Sequence, residues 1–193
     1  SGNVSLKGEK MSKSKGNIVD PKEVMEKYGA DPLRFWAAGS KLGEDLDYQE
    51  QDLVAGKKLV NKLWNASRFV FMSLEDYDGK KPKKLERIDE RFLIELNRVI
   101  STTTYRFEEY EYSRAKLNTE EFFWKIFCDY YLEIVKDRLY NPDKRGEESR
   151  RSAQYTLYQT LLTILKLFAP IMPFVTEEIY SLYFKEKENK KSI

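Results

Sequence analysis

The residues best suited to chemistry form one short basic string, Lys10-Met11-Ser12-Lys13-Ser14, continued by Lys15-Gly16-Asn17. Three ammonium groups and two hydroxyls sit on a segment bounded by Gly8 and Gly16. Glycines let a backbone approach an anion and let a loop move. Lysines act as mobile point charges that follow charge developing on a polyphosphate. On physics alone a solvated basic loop is the competing reading. The chain contains no His, so Ser-His and Cys-His nucleophiles, imidazole bases and His-ligated zinc are excluded. Cys128 stands alone in an apolar, aromatic stretch, which predicts a buried structural thiol and a reducing cytoplasm. Asp129 and Glu133 lie four apart and are expected to partner nearby Lys and Arg, not a metal.

A second set of residues suits the reading of nucleic-acid bases. Lys62, Asn65, Arg68 and Phe69 fall within two helical turns, the first three at three-residue steps near one face. A cation, an amide, a guanidinium and a ring are what unstacked bases require. Trp64 and Phe69 are alternatively core, and Asn65 alternatively bonds a neighbouring helix. Lys57 and Lys58, then Lys144-Arg145 with Arg150-Arg151, are further basic pairs for which a solvated face is the alternative.

The elements that must position these groups are mostly helices. Val4 and Leu6 alternate with polar residues, predicting a short strand into the basic loop. Asp20-Pro21 reads as a helix cap and first position, and Gly29 as the left-handed stop. Asp31-Pro32 repeats the start signal for a second short helix to Gly39, and residues 40–48 read as an acidic turn. Long helices are expected from Gln49 to Leu74, from Ile88 to Glu109 and from Tyr112 to Tyr140. Two more are expected from Arg151 to Phe168 and from Pro173 to Phe184. Tyr77-Asp78-Gly79 and Pro82 break the first of these, residues 143–149 read as a polar loop, and residues 185–193 as a fraying end. The 112–140 helix is apolar nearly all round and predicts the buried centre of a bundle. The Glu177-Glu178 pair reads as a favourable dipole contact in a first turn.

At 193 residues, 41% of them hydrophobic, the chain can bury a real core. The net charge of +2 demands no polyanion by itself. No apolar run approaches the ~20 residues of a membrane span, and no signal peptide is visible. The opening on Ser1-Gly2-Asn3 without Met suggests a piece of a longer protein.

The string at residues 10–14 resembles the second signature of the class I aminoacyl-tRNA synthetases. Residues 16–21 (Gly-Asn-Ile-Val-Asp-Pro) and 28–34 (Tyr-Gly-Ala-Asp-Pro-Leu-Arg) are similar to the family's segment after that signature. The resemblance implies that Lys10 and Lys13 contact the phosphates of ATP, bound with Mg2+. Met11 would pack inward while Ser12 and Ser14 support the loop. The family's other signature needs His, so the catalytic sheet is expected to lie outside this chain, which alone would not activate an amino acid. Residues 62–70, 123–133 and 169–178 resemble the anticodon-binding domain, most closely in the valyl branch, with isoleucyl and leucyl as alternatives.

The implied fold is mainly all-α. An antiparallel helical bundle of the anticodon-binding type, residues 49–193, would follow a small loop-helix-helix stem-contact module, residues 1–48. The implied partners are tRNA(Val), through its anticodon loop and stem, with ATP and valine held by the missing catalytic domain. No metal held by the chain itself, no DNA, no membrane and a monomer are expected. The resemblance places tRNA contacts near Lys62, Asn65, Arg68 and Phe69. The rival classes are a helical protein-interaction module and an independent enzyme. The loop at residues 10–14 is expected to be mobile without the surfaces that would pin it.

Overall fold

The structure, a computed structural model, describes residues 2–193. Alternation at Val4 and Leu6 produces strand β1 (Val4–Leu6), which folds back onto β2 (Glu9–Lys10). The two-residue turn between them has Lys7 at φ 54° and Gly8 at φ 79°, the pair of positive values that suits a hairpin's twist. A third strand, β3 (Leu46–Tyr48), lies parallel to β1, giving the order β2-β1-β3. The sequence predicts only a turn there. Three residues whose partner strand is distant in the chain leave no local pattern to read. Asp47 ties the join: its carboxylate accepts from Ser5 Oγ (2.6 Å) and from the Gly8 N–H (3.3 Å).

Helix α1 (Pro21–Tyr28) starts as its sequence predicts, with the Asp20 carboxylate accepting from the Lys22 N–H at 2.8 Å. Gly29 (φ 99°, ψ 163°) is not the expected left-handed stop. It turns the chain directly into α2 (Ala30–Ala37). Asp31 therefore lies inside the first turn of α2, and it caps a different helix. Its buried carboxylate accepts from the N–H groups of Phe174 (3.3 Å) and Val175 (2.7 Å), at the start of α9 (Pro173–Glu188). Arg34, one turn on, donates from Nε to the Ile171 carbonyl (2.9 Å) and from its terminal nitrogen to that of Pro170 (3.1 Å). Asp31→Ala leaves two amides at that helix start without their acceptor. A loss of about 2 kcal/mol of stability is expected in urea unfolding; an unchanged midpoint would mean that water caps α9 equally well.

The bundle begins with α3 (Glu50–Ser73) and α4 (Arg87–Glu108). A long rod comes next: α5 (Tyr112–Glu121), a wider π-wound stretch (Phe122–Tyr131) and α6 (Leu132–Tyr140). The Leu132 N–H accordingly donates to the Phe127 carbonyl five residues back. A short α7 (Pro142–Arg145) leads into α8 (Glu147–Phe168). Helix thus occupies most of residues 143–149, where the sequence predicts a loop. The core joins Leu59, Leu63 and Val70 of α3 to Phe92 and Leu96 of α4. Phe123, Phe127 and Tyr131 of the rod, Leu157, Leu161 and Phe168 of α8, and Ile179 and Phe184 of α9 complete it. Phe35 of α2 belongs to the same cluster, so the small module is docked on the bundle and not merely appended.

The most enclosed element is α8, not the aromatic rod. The rod buries Phe122, Phe123, Phe127, Cys128 and Tyr131 but leaves Ile126, Tyr130 and Ile134 exposed. In α8 even Ser152, Thr156 and Thr160 are buried. Thr156 and Thr160 hydroxyls donate to carbonyls one turn back, at Ser152 (2.9 Å) and Thr156 (2.6 Å). A hydroxyl satisfied within its own helix can enter a core, which a hydrophobicity pattern does not register. Cys128 is buried as expected, and desolvation pushes its thiol up to about 12.

One buried polar cluster holds three helices together. Asp89 of α4 receives both terminal nitrogens of Arg138 at 2.7 Å each. It also accepts from Tyr131 OH (2.7 Å) and Ser152 Oγ (2.5 Å). The chain end does not fray: α9 runs to Glu188, and Glu177 accepts from Ser192 Oγ (2.7 Å) and the Ile193 N–H (3.1 Å). Glu177 and Glu178 lie past the first turn of α9, which holds no acidic side chain, so the expected dipole contact is absent and Glu177 serves as this tether instead. Among the described residues no helix is long and apolar enough to cross a membrane.

Candidate functional site: a phosphate loop and an RNA-facing helix

The basic string begins at the end of β2 and closes on itself. The Ser12 N–H donates to Asn17 Oδ1 at 2.9 Å, and Asn17 Nδ2 donates to the Lys10 carbonyl at 3.2 Å. A 3-10 turn (Lys13–Lys15) comes next, with the Ser12 hydroxyl accepting from the Lys15 N–H at 3.3 Å and lying 3.0 Å from Ser14 Oγ. The sequence alone assigns Asn17 no role; its signal is a short polar side chain just past the string. Lys15 is engaged by Glu9 at 3.7 Å. Lys10 and Lys13 are exposed and form no ion pair among the described residues, and Met11 is half-buried. The result is a hydrogen-bonded loop with two exposed lysines that carry no ion pair among the described residues.

The second set lies on α3, where the structure separates its members. Asn65 and Arg68 are exposed, with no side-chain hydrogen bond or ion pair among the described residues. Lys62 is half-buried, its Nζ 5.2 Å from the centre of the Trp124 ring on the rod. Phe69 is half-buried and packs against the core. Trp64, for which the sequence offers a core position, is exposed one turn before Arg68 and shares its face. That i,i+4 spacing is the available signal for it. Lys57 is exposed, and its Nζ donates to the Lys27 carbonyl at 3.3 Å, at the end of α1.

The other basic pairs are partly neutralised. Arg145 meets Asp137 at 2.5 Å, and Arg150 is paired with Asp76. Glu133 bonds Lys136 at 2.5 Å. No group of three His, Cys, Asp or Glu side chains gathers as a metal site among the described residues.

This arrangement, a lysine loop on a hairpin docked beside a helical bundle, has close counterparts in fold. The chain is similar to Mycobacterium tuberculosis methionyl-tRNA synthetase in complex with methionyl-adenylate, with a TM-score of 0.76 and 23% identity over 93% of this chain and 36% of that one. It is also similar to the LeuRS–tRNA–LeuAMS ternary complex of Agrobacterium radiobacter K84, with a TM-score of 0.68 and 21% identity over 94% and 21% of the respective chains. Residues 4–49 match the class I tRNA synthetases (I, L, M and V).

Residues 89–193 match the anticodon-binding domain of tRNA ligases, and the chain belongs to that family. Among curated relatives, it is 45% identical over 193 residues to the valine–tRNA ligase of Rickettsia prowazekii, covering 95% of this chain and 23% of that protein. It is 44% identical over 187 residues to the valine–tRNA ligase of Rickettsia felis, covering 92% and 22%. The chain therefore spans under a quarter of the length of these relatives. The α3 set, residues 62–69, falls between the two matched stretches.

Proposed function

We propose that this chain is the phosphate-loop and anticodon-binding portion of a valine–tRNA ligase. The complete enzyme would join valine to tRNA(Val) with ATP and Mg2+ in the cytoplasm, and this portion alone would be catalytically inactive and monomeric. The observation that carries the reading is the pairing of a hydrogen-bonded lysine loop with the bundle of the anticodon-binding family. Residues 1–48 would form the loop and stem-contact module, and residues 49–193 the anticodon-binding bundle.

The loop fits a polyphosphate on its own chemistry. Lys10 and Lys13 have no carboxylate partner among the described residues, and Asn17 fixes the backbone between them. Two ammonium groups held this way would neutralise negative charge on ATP phosphates, with Met11 seated inward and Ser12 and Ser14 shaping the turn. Ligands for Mg2+ and for valine would come from the rest of the enzyme. On α3, Asn65 and Arg68 would read or clamp unstacked anticodon bases. Phe69 and Lys62 would border that face, Lys62 with its ammonium over the Trp124 ring.

Direct binding of the isolated chain to tRNA(Val), followed by fluorescence anisotropy, tests the RNA face. Arg68→Ala should weaken binding roughly 5- to 150-fold, as expected for loss of a base-contacting Arg at about 1–3 kcal/mol. Unaltered affinity in that variant would remove α3 from the interface.

A further inference from the structure

The connector between α3 and α4 carries Lys80, Lys81, Lys83 and Lys84 within five residues, all exposed. Three carboxylates precede the run: Glu75 is exposed, and the other two are hydrogen-bonded. Asp76 is paired with Arg150 and accepts from Gln154 Nε2 at 2.8 Å, and Asp78 accepts from the Lys80 N–H at 3.0 Å. Lys84 shares a depression with Arg87 and with Glu86, Glu90 and Glu148, so charge is mixed on that side. Lys80, Lys81 and Lys83 form the positive edge, and none of them is in an ion pair among the described residues.

A lysine run in a solvated loop needs no fixed shape, but this one is framed at both ends. Tyr77 is buried, and its hydroxyl donates to the Lys80 carbonyl at 3.1 Å. The Leu74 carbonyl accepts from Tyr183 OH at 3.2 Å. At the far end the Glu86 N–H donates to Ser152 Oγ at 2.8 Å. Like charges held together on a fixed frame repel one another, and an anion relieves that repulsion without first ordering the loop. The connector that carries the run also follows α3 directly in the chain. From Arg68 to the end of α3 at Ser73 the helix advances only about 7–8 Å, and the connector leaves from that end.

We propose that Lys80, Lys81 and Lys83 form a phosphate-contact surface for the RNA strand flanking the bases that α3 reads. The proposal rests on the tRNA-binding reading of this chain. Such contacts position the strand without reading its sequence. They are measurable apart from base recognition, because each neutralised phosphate steepens the fall of affinity with salt.

The test is tRNA binding by the whole chain across a salt series, for wild type and for the triple variant Lys80→Gln, Lys81→Gln, Lys83→Gln. Thermal unfolding establishes that both are folded. The expected result is a slope of log affinity against log salt shallower by about 3 in the variant, one unit per lysine, with discrimination between anticodons unchanged. Wild-type binding with the same slope in the variant overturns the proposal and leaves the tRNA-binding reading intact. Loss of anticodon discrimination along with the slope overturns it too, because the lysines would then be reading bases. A wild-type chain that fails to bind tRNA even at low salt overturns that reading, and this proposal with it.

Discussion

Arg138→Ala should destabilise the bundle by about 3–5 kcal/mol, the range for removing one partner of a buried ion pair. The reason lies in what stays behind. Asp89 is fully buried and keeps Tyr131 OH and Ser152 Oγ at 2.7 and 2.5 Å, but loses the two guanidinium bonds that balance its charge. Asp89 sits in the first turn of α4, Tyr131 and Arg138 lie on the rod, and Ser152 is on α8. A single deletion therefore loosens three helices at one point. Arg138→Lys keeps a charge but not the fork, and should fall between wild type and alanine. Urea unfolding followed by far-UV circular dichroism measures both. A loss below about 1 kcal/mol for alanine would show that water reaches Asp89 and that the cluster does not lock the three helices.

Lys13→Ala should lower amino-acid-dependent ATP–pyrophosphate exchange by the complete ligase roughly 10²–10³-fold in kcat. That is the scale for removing one preorganised group aimed at developing charge. Lys13 is suited to this role because Asn17 holds the backbone on both sides of Met11 and no carboxylate competes for the ammonium. Lys15 has the same charge, but Glu9 lies 3.7 Å away, so Lys15→Ala should cost much less. Equal losses for the two variants would argue for general electrostatic attraction and against a placed contact. The α3 face should be untouched, so tRNA affinity in Lys13→Ala is expected to stay close to wild type.

These expectations rest on features that the sequence reveals unequally. Local chemistry is legible. The Asp20-Pro21 start, the string at residues 10–14 and the burial of Cys128 each depend on neighbours a few residues away, and each appears in the structure. Features that depend on distant partners are not. Asp31 carries the signature of a cap, yet it caps α9, more than a hundred residues later. β3 exists because β1 lies beside it. The rod reads as the centre because its aromatics surround it, while α8 hides its hydroxyls by returning them to its own backbone. On α3, Asn65 and Arg68 are exposed, whereas Phe69 leans into the core. Trp64 lies at the surface although its ring suits a core. In the connector, Gly79 and Pro82 mark only a break, and the bonds around the lysines give that break its shape.

In the proposed function the loop and the bundle would make separate contributions, with reading of the anticodon the central one. The most direct test measures fluorescence anisotropy of this chain with tRNA(Val) and with the same tRNA carrying an altered anticodon, at low and moderate salt. The valine anticodon should bind roughly 5- to 150-fold tighter, since one mismatched contact costs about 1–3 kcal/mol, and the preference should persist as salt rises. Equal affinity for the two tRNAs, falling together with salt, would contradict base reading by α3 and leave only a phosphate-contact surface.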